Sequence, residues 1–207
     1  MRPAGDPGPP HLLPLDLDAA ARLAVAPGFT AIVPSDRLAP RLEGAIRDGG
    51  RVIAAVAQEQ IVGYASVVPF RPITWQDEIL HRRWEALPAA LELGALGIAA
   101  PWRRHGVGNR LLAWVVAAEE HADRILIAQA LAWHWDLDAA GVPMSAYRRF
   151  LMRTLERAGF RVFATDDPEV ADHPASFLAA RIGDAVPPGA RADFARLLHA
   201  PASKEIG

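Results

Sequence analysis

The chain has 207 residues and a formal net charge of −2, with 51% hydrophobic and 22% charged residues. Such a balance argues against a protein built mainly to coat nucleic acid, and no apolar run reaches the roughly 18 residues of a membrane span. The lack of cysteine excludes disulfides, thiolate metal sites and a cysteine nucleophile. We therefore expect a cytoplasmic protein that binds neither nucleic acid nor membrane.

The first part of the chain predicts a flexible Pro/Gly-rich tail, two short helices and a β-hairpin. The tail covers residues 1–14, and the helices cover 15–26 and 38–48, which end at a Pro-Gly and a Gly-Gly pair. Two β-type runs, 51–57 and 61–68, are separated by three polar residues. This arrangement predicts two antiparallel strands.

The middle of the chain predicts a mixed sheet. Residues 69–87 combine tryptophans, acids and arginines without a clean period, which indicates a surface loop with a short helix. A strand over 91–98 is followed by a basic glycine loop, a helix over 107–121 and a strand over 124–130. Because the helix carries the chain back, we expect these two strands to be parallel.

The last part predicts a helix over 145–158, a strand over 160–165 and two short helices around a break at 187–189. We find no internal repeat and no long linker. The chain is therefore expected to form one α/β domain over residues 15–200, followed by a short tail over 201–207.

The sharpest motif is the segment Ile98–Leu112, which reads IAAPWRRHGVGNRLL. Gly106 and Gly108 free successive backbone amides to face one concavity at a positive helix end, and this geometry suits phosphate or pyrophosphate. Two arginines, Arg103 and Arg104, add positive charge. Taken alone, the pattern is also what a tight strand-to-helix turn with surface arginines produces.

In its context the loop resembles motif A of the GCN5-related N-acetyltransferases (GNAT), Gln/Arg-x-x-Gly-x-Gly/Ala. Arg103, Gly106 and Gly108 occupy the defined positions, and the predicted elements follow the family's order over most of the chain. The resemblance implies a mixed, mostly antiparallel central sheet with helices on both faces. It also implies acetyl-CoA as a cosubstrate, with no metal.

In that family the pyrophosphate lies on the loop amides, and the pantetheine arm lies beside the end of the preceding strand. The resemblance therefore assigns cofactor binding to eight residues: Ile98, Arg103, Arg104, His105, Gly106, Val107, Gly108 and Asn109. Many family members place a tyrosine four residues before a Gly-Phe pair to protonate the departing thiolate. Leu155 occupies that place here, so the proton donor is open.

The C-terminal half resembles the acetoin-utilisation (AcuA-type) acetyltransferases. The matching segments are Trp133-His134-Trp135-Asp136-Leu137, Tyr147-Arg148, 164–169, His173-Pro174-Ala175 and 180–183. This resemblance implies acetylation of a protein lysine, with AMP-forming acetyl-CoA synthetase as the partner. Two alternatives are acetylation of a small amine and a non-catalytic acyl-CoA-sensing module on the same fold.

Acetyl transfer to lysine needs a neutral amine, and free lysine has a pKa of about 10.4, so a nearby group must accept a proton. Glu92 is the first candidate, because it is a charged residue in an apolar strand. It lies an even number of residues before Ile98, so both side chains are expected on the same face of the strand. Pairing with an arginine would explain it equally well. His134 and Asp136 are the other candidate bases, and Tyr147 is a candidate acid.

Trp133 and Trp135 flank the candidate base His134 and directly follow a predicted strand. Their rings could line the aliphatic stem of a lysine substrate, and a packed aromatic corner is the structural alternative. His134 and Asp136 have the H-x-D spacing of two metal ligands, but the sequence offers no third ligand at a defined spacing, so a metal site is not favoured. Without a cysteine, direct attack in a ternary complex is favoured over an acyl-enzyme relay.

Overall fold

The computed structural model describes residues 8–31, 33–75 and 78–199. In chain order the strands are β1 His11–Leu15, β2 Ala24–Val25, β3 Arg51–Ala57, β4 Gln60–Pro69, β5 Ile73–Trp75, β6 Glu78–Leu80, β7 Ala90–Ile98, β8 Ile125–Ala130, β9 Arg161–Phe163 and β10 Phe177–Ile182. The α-helices are α1 Leu17–Arg22, α2 Ser35–Arg47, α3 Val107–Ala117, α4 Leu137–Ala140, α5 Met144–Arg157, α6 Pro168–Ala171 and α7 Pro188–Leu197. Short 3₁₀ turns cover Arg83–Ala86, Ala100–Trp102, Glu119–His121 and Ala132–His134.

The described residues divide into two compact units. Unit 1 comprises the described residues up to Val68 together with Gly94–Val115, and unit 2 comprises Pro69–Leu93 and the described residues from Val116 onward. Strand β7 contributes its first residues to unit 2 and its last residues to unit 1. The single domain expected over 15–200 stays a prediction.

In unit 1 the strand order is β1-β3-β4-β7, with β2 parallel to β4. Antiparallel pairing joins β1 to β3 and β3 to β4. The β3–β4 turn is made by Gln58 and Glu59, whose φ angles are +51° and +60°. Two left-handed residues in sequence match the right-handed twist of the flanking strands, so the predicted hairpin is confirmed.

In unit 2 the first residues of β7 pair with β8 in parallel, and β10 pairs antiparallel with both β8 and β9. The parallel pair and the α3 crossover confirm the predicted strand-helix-strand unit. One face of this part of the sheet carries Ile125, Ile127 and Leu178, which are fully buried. Trp84 and Phe194 cover them, with ring centroids 5.4 Å apart, and burial of such large apolar side chains stabilises the unit.

The fold is the expected mixed, mostly antiparallel sheet, and it has eight strands. The predicted tail over 1–14 is wrong for residues 11–14, because they belong to β1 and pair with β3. Pro14 hid this strand in the sequence, but a proline is tolerated where a strand forms the edge of a sheet. Residues 1–7 and the predicted tail 201–207 lie outside the described residues.

Two further predictions need correction. Residues 177–182 were expected to be helical but form β10, which is buried between β8 and β9. Its alanines favour helix in isolation, and burial between two neighbouring strands overrides that preference. Residues 73–75 and 78–80, expected as loop, form the antiparallel strands β5 and β6, while the short helix predicted nearby is the 3₁₀ turn Arg83–Ala86. Within the described residues, no helix is long and apolar enough to cross a membrane.

Candidate functional site

The glycine loop, which we define as Ile98–Asn109, belongs to unit 1 and connects β7 to α3. It turns through two left-handed residues, Arg104 at φ +68° and Gly106 at φ +74°. A side chain at Gly106 would meet open space, so glycine is required there by backbone conformation alone. The first turn of α3 contains no acidic residue, which leaves its positive end available to an anion.

The side chains of the loop divide into one that holds the loop and several that face solvent. The Arg103 Nε donates to the carbonyl of Ile98 at 3.2 Å, and its terminal nitrogen donates to Thr30 Oγ1 at 2.9 Å. Arg104, His105 and Asn109 are exposed, whereas Val107 is buried. Arg103 therefore fastens the loop, and the exposed residues together with the backbone amides are the groups that can meet a phosphate.

The segment at Gly28 supports the loop, which sequence reasoning missed. The Gly28 carbonyl accepts a hydrogen bond from the amide of Ala100 at 2.9 Å. A β-carbon at Gly28 would lie 3.1 Å from both that amide nitrogen and Pro101, and the residue has φ +98°. The sequence indicated this glycine only as a helix stop, although glycine is also the residue that permits a close backbone approach.

Gly108 behaves differently from Gly106. A β-carbon at Gly108 would make ordinary contacts with Leu96 at 3.8 Å and Ile98 at 4.0 Å, and the residue lies in the first turn of α3. The protein itself therefore accepts a methyl group at this position. Any requirement for glycine there comes from a ligand.

Glu92 belongs to a second set of residues, all in unit 2, that we call the carboxylate cluster. Its members are Arg82, Glu92, Gln129, Asp167 and Glu169. The guanidinium of Arg82 makes a bidentate ion pair with Glu92, with N to O distances of 2.6 and 2.9 Å. A second bidentate pair joins Arg82 to Glu169 at 2.9 and 3.0 Å. The planar fork of arginine is suited to this geometry.

Neighbouring strands and α6 set the positions of the cluster. Glu92 pairs in register with Ile127, so Gln129, two residues farther along β8, lies on the same face of the sheet. The Gln129 side chain accepts from Arg82 at 2.5 Å and donates to Asp167 at 3.1 Å. Asp167 is buried, accepts from Trp84 Nε1 at 2.7 Å and caps the start of α6.

The charges of the cluster are strongly coupled. Burial lowers the pKa of Arg82, but the hydrogen bonds and charges of Glu92 and Glu169 outweigh burial, and the net change is upward. Burial raises the pKa of Asp167, while its hydrogen bond from Trp84 opposes the change. Arg82 therefore stays charged, and both oxygens of Glu92 are engaged by a permanent cation.

His134 lies in the 3₁₀ turn that follows β8. The residue is exposed, but the packing around its ring removes part of the solvent and so lowers its pKa, while the negative charge of Glu92 acts in the opposite direction. Near neutral pH the imidazole is therefore uncharged and able to accept a proton. Trp133 stands edge-on to the His134 ring at 6.0 Å and is 52% exposed. The Asp136 side chain accepts from the amide of Ala139 and caps α4, which is the structural role expected of an N-cap aspartate.

Trp135 and Tyr147 form an aromatic stack rather than an open groove. Their ring centroids are 5.5 Å apart with an interplanar angle of 23°, and both residues are half-buried. The indole N–H of Trp135 is buried without a hydrogen-bond partner among the described residues. Leu155, at the place where many family members carry tyrosine, is buried and has no hydroxyl to donate.

The eight residues expected to bind cofactor all lie in unit 1, and the catalytic and aromatic candidates all lie in unit 2. Within unit 2, Glu92 and His134 interact electrostatically, whereas Asp136 and Tyr147 are held by local contacts of their own. Sequence reasoning missed Arg82 and Gln129. The one available signal was Glu92 itself, since a carboxylate in an apolar strand needs a partner. No group of three or more potential metal ligands occurs in the described part of the chain.

The chain is similar in sequence to a known family and to two named proteins. A family model described as "Acetyltransferase (GNAT) family" matches residues 20–142. The acetoin utilization protein AcuA of Bacillus licheniformis is 35% identical over 139 residues, which is 66% of this chain and 62% of that protein. The Bacillus subtilis AcuA protein is 33% identical over 150 residues, covering 72% and 68%.

A solved structure adds similarity over nearly the whole chain. The acetoin utilization protein from Exiguobacterium sibiricum has a TM-score of 0.84 and 30% sequence identity, and the match covers 93% of this chain and 89% of that one. The chain thus spans slightly less than two thirds of the B. licheniformis relative, while it shares the architecture of the E. sibiricum protein over most of both lengths.

Proposed function

Because the chain belongs to the GCN5-related N-acetyltransferase (GNAT) family, we propose that it transfers acetyl from acetyl-CoA to the side-chain amine of a lysine in a protein. The acceptor that we propose is AMP-forming acetyl-CoA synthetase, in the cytoplasm, in keeping with the AcuA-type motifs of the C-terminal half. The observation that carries the proposal is the 33% identity with the B. subtilis AcuA protein, over an alignment that includes 68% of its length.

Acetyl-CoA binds, in this proposal, at the glycine loop. The left-handed turn at Arg104 and Gly106 and the positive end of α3, whose first turn has no acidic residue, support binding of the pyrophosphate by backbone amides. Arg104 and His105 are exposed and add side-chain contacts. Arg103 contributes indirectly, because its guanidinium is committed to Ile98 and Thr30.

The reaction is a direct transfer between two substrates. The neutral lysine nitrogen attacks the thioester carbonyl, a C–N bond forms, the C–S bond breaks, and the amine proton leaves to a base. We assign the base to His134, because the residue is exposed to an acceptor and its lowered pKa keeps the imidazole neutral near pH 7. Glu92 was the first candidate from the sequence, and its bidentate pair with Arg82 favours a supporting role instead. Its negative charge stabilises the imidazolium that forms.

The thiolate of coenzyme A needs a proton as it departs. Leu155 cannot supply one, and the nearest aromatic hydroxyl on the same helix belongs to Tyr147. Tyr147 is half-buried and stacked on Trp135, which holds its ring in one orientation. We propose Tyr147 as the donor. If the Tyr147→Phe chain keeps the wild-type kcat, the thiolate takes its proton from solvent instead.

The test is a steady-state assay with acetyl-CoA and three acceptor classes: folded acetyl-CoA synthetase, a lysine peptide and a panel of small amines. We expect transfer to the synthetase, located on one lysine by mass spectrometry, with the His134→Gln chain as the inactive control. Faster transfer to a small amine would replace the protein acceptor. Tight acetyl-CoA binding with no transfer to any acceptor would indicate an acyl-CoA-sensing module.

A further inference from the structure

The exposed face of α5 carries an unusual combination of charge and aromatic surface. We define the α5 outer surface as Arg149, Phe150, Arg153 and Arg157, all of which are exposed. At about 100° per residue these four side chains fall within an arc of about 100° on one side of the helix. Phe150 is 63% exposed, which is a large apolar area to leave in water.

The arginines of this surface are not explained by ion pairing. Two other exposed arginines do pair with an acid on their own helix, Arg47 with Glu43 and Arg196 with Asp193. None of the three α5 arginines forms an ion pair with a carboxylate among the described residues. Their spacing of four residues places like charges next to one another, which disfavours an isolated helix. Glu156 is the only acid on α5, so the helix is strongly positive in a chain of net charge −2.

Arg148 differs from its neighbours and shows what a structural arginine looks like on this helix. Its Nε donates to the carbonyl of Ala175 at 3.0 Å, and its guanidinium lies over the Phe177 ring at 5.3 Å, which is within the range of a cation–π contact. Arg149 and Arg153 have no such contact in the described part of the chain. Their charge is directed to solvent.

An aromatic path connects this surface to the residues of the proposed reaction. Phe150 meets Tyr147 edge-on at 6.4 Å, and Tyr147 stacks on Trp135 at 5.5 Å. Trp135 directly follows His134, the proposed base, and Trp133 adds an exposed ring to the same segment. A partner held on α5 would therefore be held beside the segment 133–135.

We propose that the α5 outer surface docks an acidic surface of the folded acceptor protein, with Phe150 as the apolar anchor and Arg149 and Arg153 as the charged contacts. Arginine and aromatic side chains dominate the energetics of protein interfaces, and opposite charge accelerates encounter. This inference rests on the proposed function and adds the chemistry of the partner: a folded protein with carboxylates near the target lysine.

The experiment compares two double charge reversals that change net charge equally. Arg149→Glu with Arg153→Glu alters the docking surface, and Arg22→Glu with Arg37→Glu alters two exposed arginines of unit 1. Initial rates are measured with folded acetyl-CoA synthetase and with a short lysine peptide that contains no acidic residue. Melting temperatures show that each variant is folded.

We expect the α5 variant to raise KM for the folded synthetase by about tenfold or more, with kcat and the KM for acetyl-CoA within about twofold of wild type. The peptide should be acetylated by all variants at the wild-type rate. Raising the salt concentration should raise KM of the wild-type chain toward that of the α5 variant, since screening removes the same attraction. Phe150→Ala should add a salt-independent increase in KM.

Equal kinetics of the two double variants on the folded synthetase would overturn the docking surface and leave the proposed function standing. A raised KM for acetyl-CoA in the α5 variant would also overturn it, because the arginines would then serve the cofactor. If the wild-type chain acetylates no folded protein, the proposed function fails and the docking surface fails with it.

Discussion

The glycine loop of unit 1 and the carboxylate cluster of unit 2 are assigned to the same proposed reaction, but they are built from different atoms. In the loop, the proposed binding groups are backbone amides at a left-handed turn, and half of the residues are exposed. In the cluster, side chains from β7, β8, α6 and the segment before the 3₁₀ turn Arg83–Ala86 satisfy one another. Backbone sites tolerate side-chain changes that side-chain networks do not.

This difference predicts which substitutions change ligand binding, stability or catalysis. In the loop, a substitution should matter only if it changes the backbone conformation or enters the space of the ligand. In the cluster, removal of one charge leaves partly buried partners unpaired, so stability and chemistry change together.

The largest effect is expected at His134. We predict that His134→Gln lowers kcat by roughly 10²–10⁴-fold, as for loss of a general base, while calorimetry shows unchanged acetyl-CoA affinity. Because the pKa of His134 is lowered, wild-type activity should persist into mildly acidic pH and disappear as pH falls through that value. A variant with the wild-type pH–rate profile would remove His134 from the reaction.

Glu92→Gln separates the two candidate bases. If Glu92 supports His134, its neutral replacement should shift the acidic limb of the pH–rate profile to lower pH, because the charge that favours the imidazolium is gone. Activity at neutral pH should then fall only modestly. A fall of roughly 10²–10⁴-fold with no shift of the limb would make Glu92 the base, as the sequence first suggested.

The next effect concerns stability of the cluster. Arg82→Met should lower the free energy of unfolding by about 3 kcal/mol, because Glu92 and Glu169 lose a shared cation while partly buried. Urea denaturation measures this change. The double variant Arg82→Met with Glu92→Gln should recover part of the loss, and the absence of any recovery would show that the two residues are not energetically coupled.

Trp135 and Trp133 provide a matched pair inside unit 2. Trp135 is stacked on Tyr147, so Trp135→Ala should reduce stability by about 2 kcal/mol and impair catalysis as a consequence. Trp133 is 52% exposed, so Trp133→Ala should leave the melting temperature unchanged and raise KM for the protein acceptor. If instead Trp135→Ala raises KM at an unchanged melting temperature and Trp133→Ala lowers the stability, the acceptor lies against Trp135. Trp133 is then a packing residue.

The smallest effect tests the loop. Gly108→Ala should leave stability unchanged or slightly higher, because its new methyl makes ordinary contacts in a helix. Acetyl-CoA affinity should fall about tenfold, or about 1.4 kcal/mol, if pyrophosphate occupies the space over this residue. Gly106→Ala is the counterpart, since it should cost about 1 kcal/mol of stability through its left-handed backbone. Unchanged affinity in both variants would remove the loop from the cofactor site.

The sequence alone determined the features that depend on local pattern. The β3–β4 hairpin, the parallel β7–β8 pair and the glycine loop were predictable because alternation, strand-helix-strand order and glycine spacing are properties of short segments. The eight cofactor residues were named from a contiguous motif for the same reason. The predicted acceptor residues, Trp133 and Trp135, were also named from one short segment. That segment did not show which of the two is exposed and which is packed.

Tertiary structure decided what depends on distant partners. β10 was hidden because an alanine-containing run becomes a strand only when β8 and β9 bury it from both sides. The sequence could show that Glu92 needed a partner, but only folding selects Arg82, ten residues earlier, and joins it to Gln129 and Glu169. Hydrogen bonds between side chains distant in sequence carry no periodic signal, so their arrangement emerges only when the strands and helices pack.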